Sequence, residues 1–285
     1  MQTAIIERPI RRERQWFASW FDSPHYHRLY GYRDDSEAVR FVDALVARLR
    51  PASGARALDL GCGGGRHARQ LNAKGLDVTG LDLAARSIRI AKQYENDHLR
   101  FRQHDMRVPF GQDRFDYVFS FFTSFGYFER PDEHMKVLDN IARSLRPGGR
   151  LVLDYLNAGY ADARLVPEET RQIGGAVYHI ARSATAERFF KQIIIDEGEG
   201  RPMLEFVEQV ARFTIGHFSR MFESAGLTIE SAFGDYRLGR YDEAASPRMV
   251  LVARKPHANV RRASGRSAGT ILPYAAHGFG RHAEV

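Results

Sequence analysis

One short segment constrains this chain more than any other, because an apolar run breaks abruptly into glycines. Residues 57–65 have the sequence Ala-Leu-Asp-Leu-Gly-Cys-Gly-Gly-Gly, with four glycines in the last five positions. This pattern is typical of a buried strand that ends in a tight turn. Glycine has no Cβ and tolerates positive φ, so such a turn brings bare backbone against a ligand. We therefore interpret it as a ligand-binding turn and not only a structural one.

The acid before the glycines narrows the choice of ligand. A dinucleotide would place its pyrophosphate beside Asp59, whose charge would repel it. A carboxylate suits an ammonium group instead, reached directly or through water. Asp82 ends the next predicted strand 21 residues after Gly61, where a carboxylate accepts both hydroxyl protons of a ribose. An ammonium group, a ribose and an uncharged thioether together describe S-adenosylmethionine.

Five motifs in order resemble those of the class I S-adenosylmethionine-dependent methyltransferases. They are the glycine segment, Leu81-Asp82-Leu83, His104-Asp105-Met106, the strand 115–120 and the segment 145–153. The resemblance implies that Asp105 meets the adenine amino group, that Met106 lines the ring and that Phe121 faces the cofactor. The candidate cofactor-binding residues are Asp59, Gly61, Cys62, Gly63, Asp82, Leu83, Asp105, Met106 and Phe121.

The order of apolar runs predicts the fold class. Between residues 57 and 154 short apolar runs alternate with helical patterns, which indicates a parallel sheet with helices on both faces. After residue 154 three strands follow one another without helices, which favours an antiparallel insert. We predict an α/β, Rossmann-like methyltransferase fold: a mostly parallel seven-stranded sheet with an antiparallel last strand, an N-terminal helical cap and a small antiparallel β insert.

This pattern divides the chain into five predicted segments. They are the aromatic and helical cap (1–53), the cofactor-binding core (54–154), the antiparallel insert or lid (155–213), the completion of the core sheet (214–254) and a basic, disordered tail (255–285).

The cap and the insert predict where a methyl acceptor binds. An N-terminal aromatic cluster and a late insert resemble small-molecule methyltransferases in which these additions form a lid and a cap tyrosine lies near the sulfonium. Tyr30 is our candidate catalytic residue, with Tyr26 and Tyr32 as rivals. The resemblance implies direct in-line transfer to a nitrogen or oxygen of a small molecule, which requires alignment rather than a covalent intermediate. Candidate general bases are His25, His27, His179 and His217.

Charge distribution bears on the partners that we expect. Of the net charge of +7, residues 255–285 carry +4 and residues 1–14 carry +2, so the body is nearly neutral. A neutral body offers no track for a polyanion, so we expect no nucleic-acid partner. Residues 1–14 lack the apolar centre of a signal peptide, and no run is suited to span a bilayer. We expect a cytoplasmic protein without a membrane partner; the oligomeric state is left open.

Other functions are compatible with parts of the sequence. The basic ends give slight support to an RNA or protein methyltransferase, and the fold alone also suits a non-catalytic S-adenosylmethionine-binding module. A nicotinamide dehydrogenase is disfavoured because Arg66 occupies the last glycine position of the dinucleotide motif. Asp154 and Asn157 resemble part of a magnesium site, but no second acidic site follows the fourth strand, so we predict no metal.

Overall fold

The computed structural model describes residues 15–31 and 35–257. The strands are β1 (Arg56–Leu60), β2 (Asp77–Asp82), β3 (Leu99–Gln103), β4 (Phe115–Ser120), β5 (Leu145–Leu156), β6 (Glu168–Ile173), β7 (Ala176–Ala184), β8 (Arg188–Asp196), β9 (Leu204–Ala211), β10 (Thr228–Phe233) and β11 (Arg248–Arg254). The helices are α1 (Trp16–Phe21), α2 (Pro24–Leu29), α3 (Asp35–Leu49), α4 (Arg66–Ala73), α5 (Ala85–Ala91), α6 (Pro131–Ser144), α7 (Ala158–Ala163) and α8 (Ile215–Ser224); a 3₁₀ turn at Lys92–Tyr94 extends α5.

Seven strands form the main sheet, in the order β10-β11-β5-β4-β1-β2-β3. Strand β11 runs antiparallel to both of its neighbours, whereas β1 to β5 are mutually parallel. The chain order reverses between β1 and β4, and ligands bind at the carboxyl ends of the strands at such a point. The predicted fold class is confirmed, with the glycine turn placed directly after β1 at this reversal.

The second sheet has one strand more than the sequence predicted. Its order is β6-β7-β8-β9, and every neighbouring pair is antiparallel. The additional edge strand, β6, is polar along most of its length and alternates between exposed and half-buried positions. A strand without a fully buried face lacks the apolar alternation on which a sequence prediction depends.

Two buried clusters cover the two faces of the main sheet. Along β1, Ala57 belongs to one cluster and Leu58 to the other, as the alternation of strand side chains requires. The cluster that contains Leu58 also contains Tyr178 and Ile193 from the second sheet. The insert is therefore packed against the core through a continuous apolar contact.

The described residues also set limits on two earlier expectations. Within residues 15–31 and 35–257, no helix is both long enough and apolar enough to cross a bilayer. Of the predicted basic tail, only residues 255–257 are described. Lys255 is anchored there, because its Nζ donates to Asp113 at 2.8 Å and to the carbonyl of Leu145 at 2.6 Å.

Candidate active site

A cavity of about 280 Å³ lies at the carboxyl ends of β1 to β4, beneath α1 and α2. Nine of the ten residues predicted for the site line it, and Asp59 is the exception. The predicted residues on the wall are Tyr30, Gly61, Cys62, Gly63, Asp82, Leu83, Asp105, Met106 and Phe121.

The glycine turn is held against the end of β2. The backbone N–H groups of Gly61 and Cys62 both donate to the carbonyl of Leu81, at 2.8 and 3.0 Å. Gly61 has φ +77°, and a Cβ there would lie 2.5 Å from the Cβ of Ser124. Gly63 has φ +54°, and a Cβ there would meet no atom within 4 Å. The turn therefore needs glycine at Gly61 for close packing and leaves open space above Gly63.

Asp82 connects two loops through its carboxylate. Oδ2 accepts a hydrogen bond from the Gly63 N–H and Oδ1 accepts one from the Ala84 N–H, each at 2.8 Å. Burial raises the pKa of Asp82, although these two hydrogen bonds oppose the rise. A carboxylate has about four lone-pair sites, so each oxygen can still accept a bond from a ligand hydroxyl.

Asp59 lies beneath the turn and not on the cavity wall. Its side chain is 1% exposed, and neither carboxylate oxygen has a hydrogen-bond partner among residues 15–31 and 35–257. Burial, reinforced by the charge of Asp82, raises the pKa of Asp59 to about 7. The charge of the Arg66 guanidinium and the nearby Ala68 N–H, which does not reach hydrogen-bond geometry, offset this rise only in part. A buried acid without partners is costly, and a cationic ligand group above the turn would relieve that cost.

Asp105 is held by an arginine that sequence reasoning missed. Arg107 donates from Nε to Oδ1 of Asp105 at 3.0 Å and from Nη2 to Oδ2 at 2.6 Å. Its Nη1 donates to Glu133 at 2.7 Å. Burial alone would raise the pKa of Asp105, but the hydrogen bonds and charge of Arg107 lower it overall. The Arg107 guanidinium also lies 5.5 Å from the ring centre of Phe17 and 5.2 Å from that of Phe128. Arg107 thus links Asp105 to the aromatic residues of the cap.

Tyr30 joins the cap to the insert. Its hydroxyl donates to Oε1 of Glu208 at 2.6 Å and accepts from Nζ of Lys191 at 2.6 Å. Trp20 Nε1 donates to the same Glu208 oxygen at 2.7 Å. Of the rival tyrosines, Tyr26 also lines the cavity, whereas Tyr32 lies outside the described residues. Strands β8 and β9 therefore fix the tyrosine that the sequence singled out.

Comparison with known proteins identifies the class of site. Residues 57–149 match the family described as "Methyltransferase domain". Residues 57–149 therefore carry an S-adenosylmethionine-dependent methyltransferase domain. A 27-O-demethylrifamycin SV methyltransferase from Amycolatopsis mediterranei (strain S699) is 28% identical over 260 residues, covering 83% of this chain and 91% of that protein. A dTDP-3-amino-3,4,6-trideoxy-alpha-D-glucopyranose N,N-dimethyltransferase from Streptomyces venezuelae is 27% identical over 201 residues, covering 68% and 84%.

Solved structures share the fold of this methyltransferase. The CcbJ methyltransferase from Streptomyces caelestis aligns with a TM-score of 0.67 at 22% identity, covering 83% of this chain and 98% of that chain. An S-adenosylmethionine-dependent methyltransferase from Clostridium acetobutylicum ATCC 824 aligns with a TM-score of 0.68 at 15% identity, covering 84% and 98%. These matches cover far more of the chain than residues 57–149 alone.

The loop after β4 is held by Arg248, a second residue that the sequence did not single out, and by Asp154. Phe122 and Thr123 have φ of 58° and 60°, a left-handed conformation that costs non-glycine residues about 1–3 kcal/mol each. Asp154 stabilises it by accepting from the Phe122 N–H at 2.8 Å. Arg248 donates to Asp154 at 2.8 Å and to Thr123 at 2.9 Å. The contact between Asp154 and Arg248 cannot be predicted from sequence spacing, because it exists only when β11 pairs with β5 in the folded sheet.

The positions considered for a metal are engaged in other bonds. Asp154 accepts from Phe122, Arg248 and the hydroxyl of Tyr236, the last at 3.0 Å. Asn157 donates to three backbone carbonyls in the segment 242–246. The part of the chain that the structure describes contains no cluster of acids, histidines or cysteines able to hold a metal ion.

The histidines considered as general bases are mostly remote from the cavity. Of the four, His27 alone lines it, and burial followed by the charge of Arg86 lowers the pKa of His27. His25 contacts the Tyr178 hydroxyl at 3.2 Å, and His217 caps α8. His179 contacts Thr170 at 3.3 Å. A base for hydroxyl acceptors would therefore be sought at His27 before the other three.

Proposed function

We propose that this protein transfers the methyl group of S-adenosylmethionine, by direct in-line displacement, to a nitrogen or oxygen atom of a small molecule. The observation that carries this proposal is a single cavity with two unlike walls. One wall is the glycine turn with Asp82, and the other is an aromatic surface from the cap that includes Tyr26 and Tyr30. Positioning of two reactants in one cavity supplies most of the rate in such a transfer.

The residues of the cofactor wall fit the proposed ligand. The open space above Gly63 leaves room for it, and Asp82 has unused lone pairs for two ribose hydroxyls. The buried carboxylate of Asp59 lacks a donor that an ammonium group could supply through the turn or through water. Leu83, Met106 and Phe121 provide apolar wall, and Asp105 would accept a hydrogen bond from the adenine amino group. When bound, S-adenosylmethionine supplies an electrophilic methyl group on a sulfonium.

The aromatic wall favours the approach of that cation. Aromatic faces attract positive charge, and the pair Tyr26 and Tyr30 has ring centres 4.9 Å apart on the cavity side of α2. Lys191 and Glu208 fix the Tyr30 hydroxyl, so its ring cannot turn away from the cavity. We assign Tyr30 the role of aligning the acceptor, with no covalent step on the protein.

The proposed segments follow from the same contacts. We propose that residues 1–53 act as a cap and residues 155–213 as a lid, with 54–154 and 214–254 forming the core between them. Bonds from Trp20 and Tyr30 to Glu208 support this division, since they tie the cap to the lid. Closure of both over the cavity would exclude water from the reaction.

Small acceptors are favoured over macromolecules by two observations. The names of two relatives specify a rifamycin derivative and a dTDP-amino sugar as substrates. The near-neutral body also offers no basic track for a nucleic acid. A cytoplasmic location is still a prediction from the sequence.

Calorimetry tests the cofactor half of the proposal. S-Adenosylhomocysteine should bind the wild-type protein, and Asp82→Asn should weaken binding about 100-fold, because the amide cannot accept from all its donors. Asp139→Asn, a matched change at an exposed position of α6, should leave binding unchanged. Circular dichroism checks that Asp82→Asn is folded. Absence of binding to folded wild-type protein would overturn the proposal.

Transfer itself is tested with an isotopically labelled methyl donor and a cell extract. Mass spectrometry should then find the label in a compound of low mass. Label found only in RNA or protein would favour a macromolecular acceptor instead, and binding without transfer to any compound would favour a non-catalytic module.

A further inference from the structure

We propose that a second cavity binds the methyl acceptor and that it selects a small molecule carrying an anionic group, a carboxylate or a phosphate monoester. This inference rests on the proposed function, and it names the substrate class that the same site accepts. The cavity has a volume of about 450 Å³ and lies between the insert and the carboxyl end of β5. Its walls include Leu156 of β5, Tyr160 and Arg164 of α7, and Pro247 beside β11.

The second cavity adjoins the first through Tyr30. The ring of Tyr30 lines the first cavity, whereas Lys191 and Glu208, which bond its hydroxyl, both line the second. Arg248 forms a further part of the shared wall, since it lines the second cavity and lies 5.5 Å from the ring centre of Phe122 in the first. An acceptor with its anionic group in the second cavity would therefore place its reacting atom past Tyr30, at the aromatic wall of the first cavity.

Strand register explains why charged side chains meet here. Arg182 of β7 pairs with Lys191 of β8, which in turn pairs with Glu208 of β9. Residues paired across strands project from the same face of the sheet. The three side chains thus form one row on the face of the insert that covers the core.

The charges of the second cavity favour an anion. Its wall carries the cations Arg164, Arg182, Lys191 and Arg248 against the acids Glu169 and Glu208. Arg182 is paired with Glu169 at 3.1 Å and Arg248 with Asp154 at 2.8 Å, so the cations Arg164 and Lys191 outnumber the remaining acid, Glu208.

Arg164 is the cation best suited to recognise a ligand. Its guanidinium lies 4.0 Å from the ring centre of Tyr160, and no carboxylate lies within 4.0 Å of it in the described part of the chain. A guanidinium can donate two parallel hydrogen bonds to a carboxylate or a phosphate. The remaining wall, with Phe189, Leu165 and Val210, is apolar. The site therefore suits an apolar body that carries one anionic group.

The test uses the full protein saturated with S-adenosylhomocysteine, so that anions cannot occupy the first cavity. Phenyl phosphate and benzoate are the anionic probes, and benzyl alcohol is the neutral one. Ligand-observed NMR at low salt should show that the tighter-binding anion has a dissociation constant about ten-fold lower than that of benzyl alcohol. The alcohol cannot form the charge-assisted hydrogen bonds that the anion accepts. Comparison of the two anions distinguishes a phosphate monoester from a carboxylate.

Variants locate the binding site of the anion. Arg164→Gln should weaken binding of the better anion about ten-fold, whereas Arg143→Gln, at an exposed position of α6, should have no effect. Equal binding of alcohol and anions, equal behaviour of the two variants, or displacement of S-adenosylhomocysteine by the anion would each overturn the inference. Failure of S-adenosylhomocysteine to bind would instead overturn the proposed function. With an identified acceptor, Arg164→Gln should raise KM and leave kcat unchanged.

Discussion

The proposed cofactor side and the proposed acceptor side of this molecule are built by different means. On the cofactor side, main-chain N–H groups of neighbouring loops converge on one carboxylate, that of Asp82. On the acceptor side, side chains distant in sequence converge on Glu208, which accepts from Trp20 and Tyr30 across 188 and 178 residues. Main-chain geometry tolerates few changes, whereas pairs of side chains can be exchanged without altering the fold. The difference suggests that the cofactor is fixed by the fold and the acceptor by a replaceable network.

The largest expected loss of stability comes from replacing the residue that connects both sides. Arg248→Met removes the partner of Asp154, which is fully buried, while Arg248 itself is 18% exposed. Leaving that carboxylate unpaired should lower the free energy of unfolding by about 3 kcal/mol. It should also release the strained loop at Phe122 and Thr123. Urea unfolding measures the first effect, and calorimetry with S-adenosylhomocysteine measures whether the cofactor side is disturbed.

Arg248→Lys is the matched control for this prediction. It keeps the charge but lacks the fork that reaches both Asp154 and Thr123, so its loss should be near 1 kcal/mol. Equal losses for the two variants would show that the charge at Arg248 contributes nothing to stability.

A second prediction concerns the pH dependence of the free energy of unfolding, which we attribute to His134. His134 is 3% exposed among Phe125, Phe128 and Phe213. Burial, followed by the charge of Arg188, lowers the pKa of His134 from 6.5 to about 4. Between these values the unfolded chain binds a proton that the folded chain does not, so stability falls as the pH falls from 6.5 to about 4.

The replacement His134→Leu should remove that dependence. Urea unfolding at pH 6.5 and at pH 4 should show the variant losing about 3 kcal/mol less than the wild type over this interval. A wild type and a variant with the same loss would exclude His134 as the source.

The cofactor side should show the opposite dependence. Because the pKa of Asp59 is raised to about 7, its contribution to stability is fully present below about pH 4 and is lost as the pH rises through 7. The free energy of unfolding of Asp59→Asn, relative to that of the wild type, should therefore rise by about 4 kcal/mol between pH 4 and pH 8, as measured by urea unfolding.

Cofactor binding should move in the other direction. The same variant should bind S-adenosylhomocysteine more weakly at pH 8, since the amide carries no charge to offset an ammonium group. If the variant were stabilised but bound S-adenosylhomocysteine as tightly as the wild type, Asp59 would lower stability without contributing to cofactor binding.

The contrast between the two sides also explains what the sequence could predict. The glycine turn, Asp82 and the alternation of strands and helices are local patterns, so strands β1 to β4 and the cofactor wall were predictable from neighbouring residues. Arg107, Glu208 and Arg248 gave no such signal, because each acts through a partner that only the folded chain brings near. Strand β6 was missed for a related reason, since it has no fully buried face. The sequence also did not predict that Asp59 lies below the cavity wall. The motif places an acid near the glycine turn, but the direction in which its side chain points is set by the alternation of strand β1.

The smallest effect is expected for Tyr30→Phe, which tests the network of the acceptor side by itself. The change removes one hydroxyl between Lys191 and Glu208, and these two opposite charges can then approach each other. The free energy of unfolding should therefore fall by only about 1 kcal/mol. Affinity for S-adenosylhomocysteine should not change, whereas kcat with the identified acceptor should fall about ten-fold as alignment is lost. As a control, Tyr94→Phe removes the hydroxyl of an exposed tyrosine that lines neither cavity, so kcat should not change. If Tyr30→Phe weakened binding of S-adenosylhomocysteine instead of slowing transfer, the cofactor side and the acceptor side would depend on the same contacts and could not be separated.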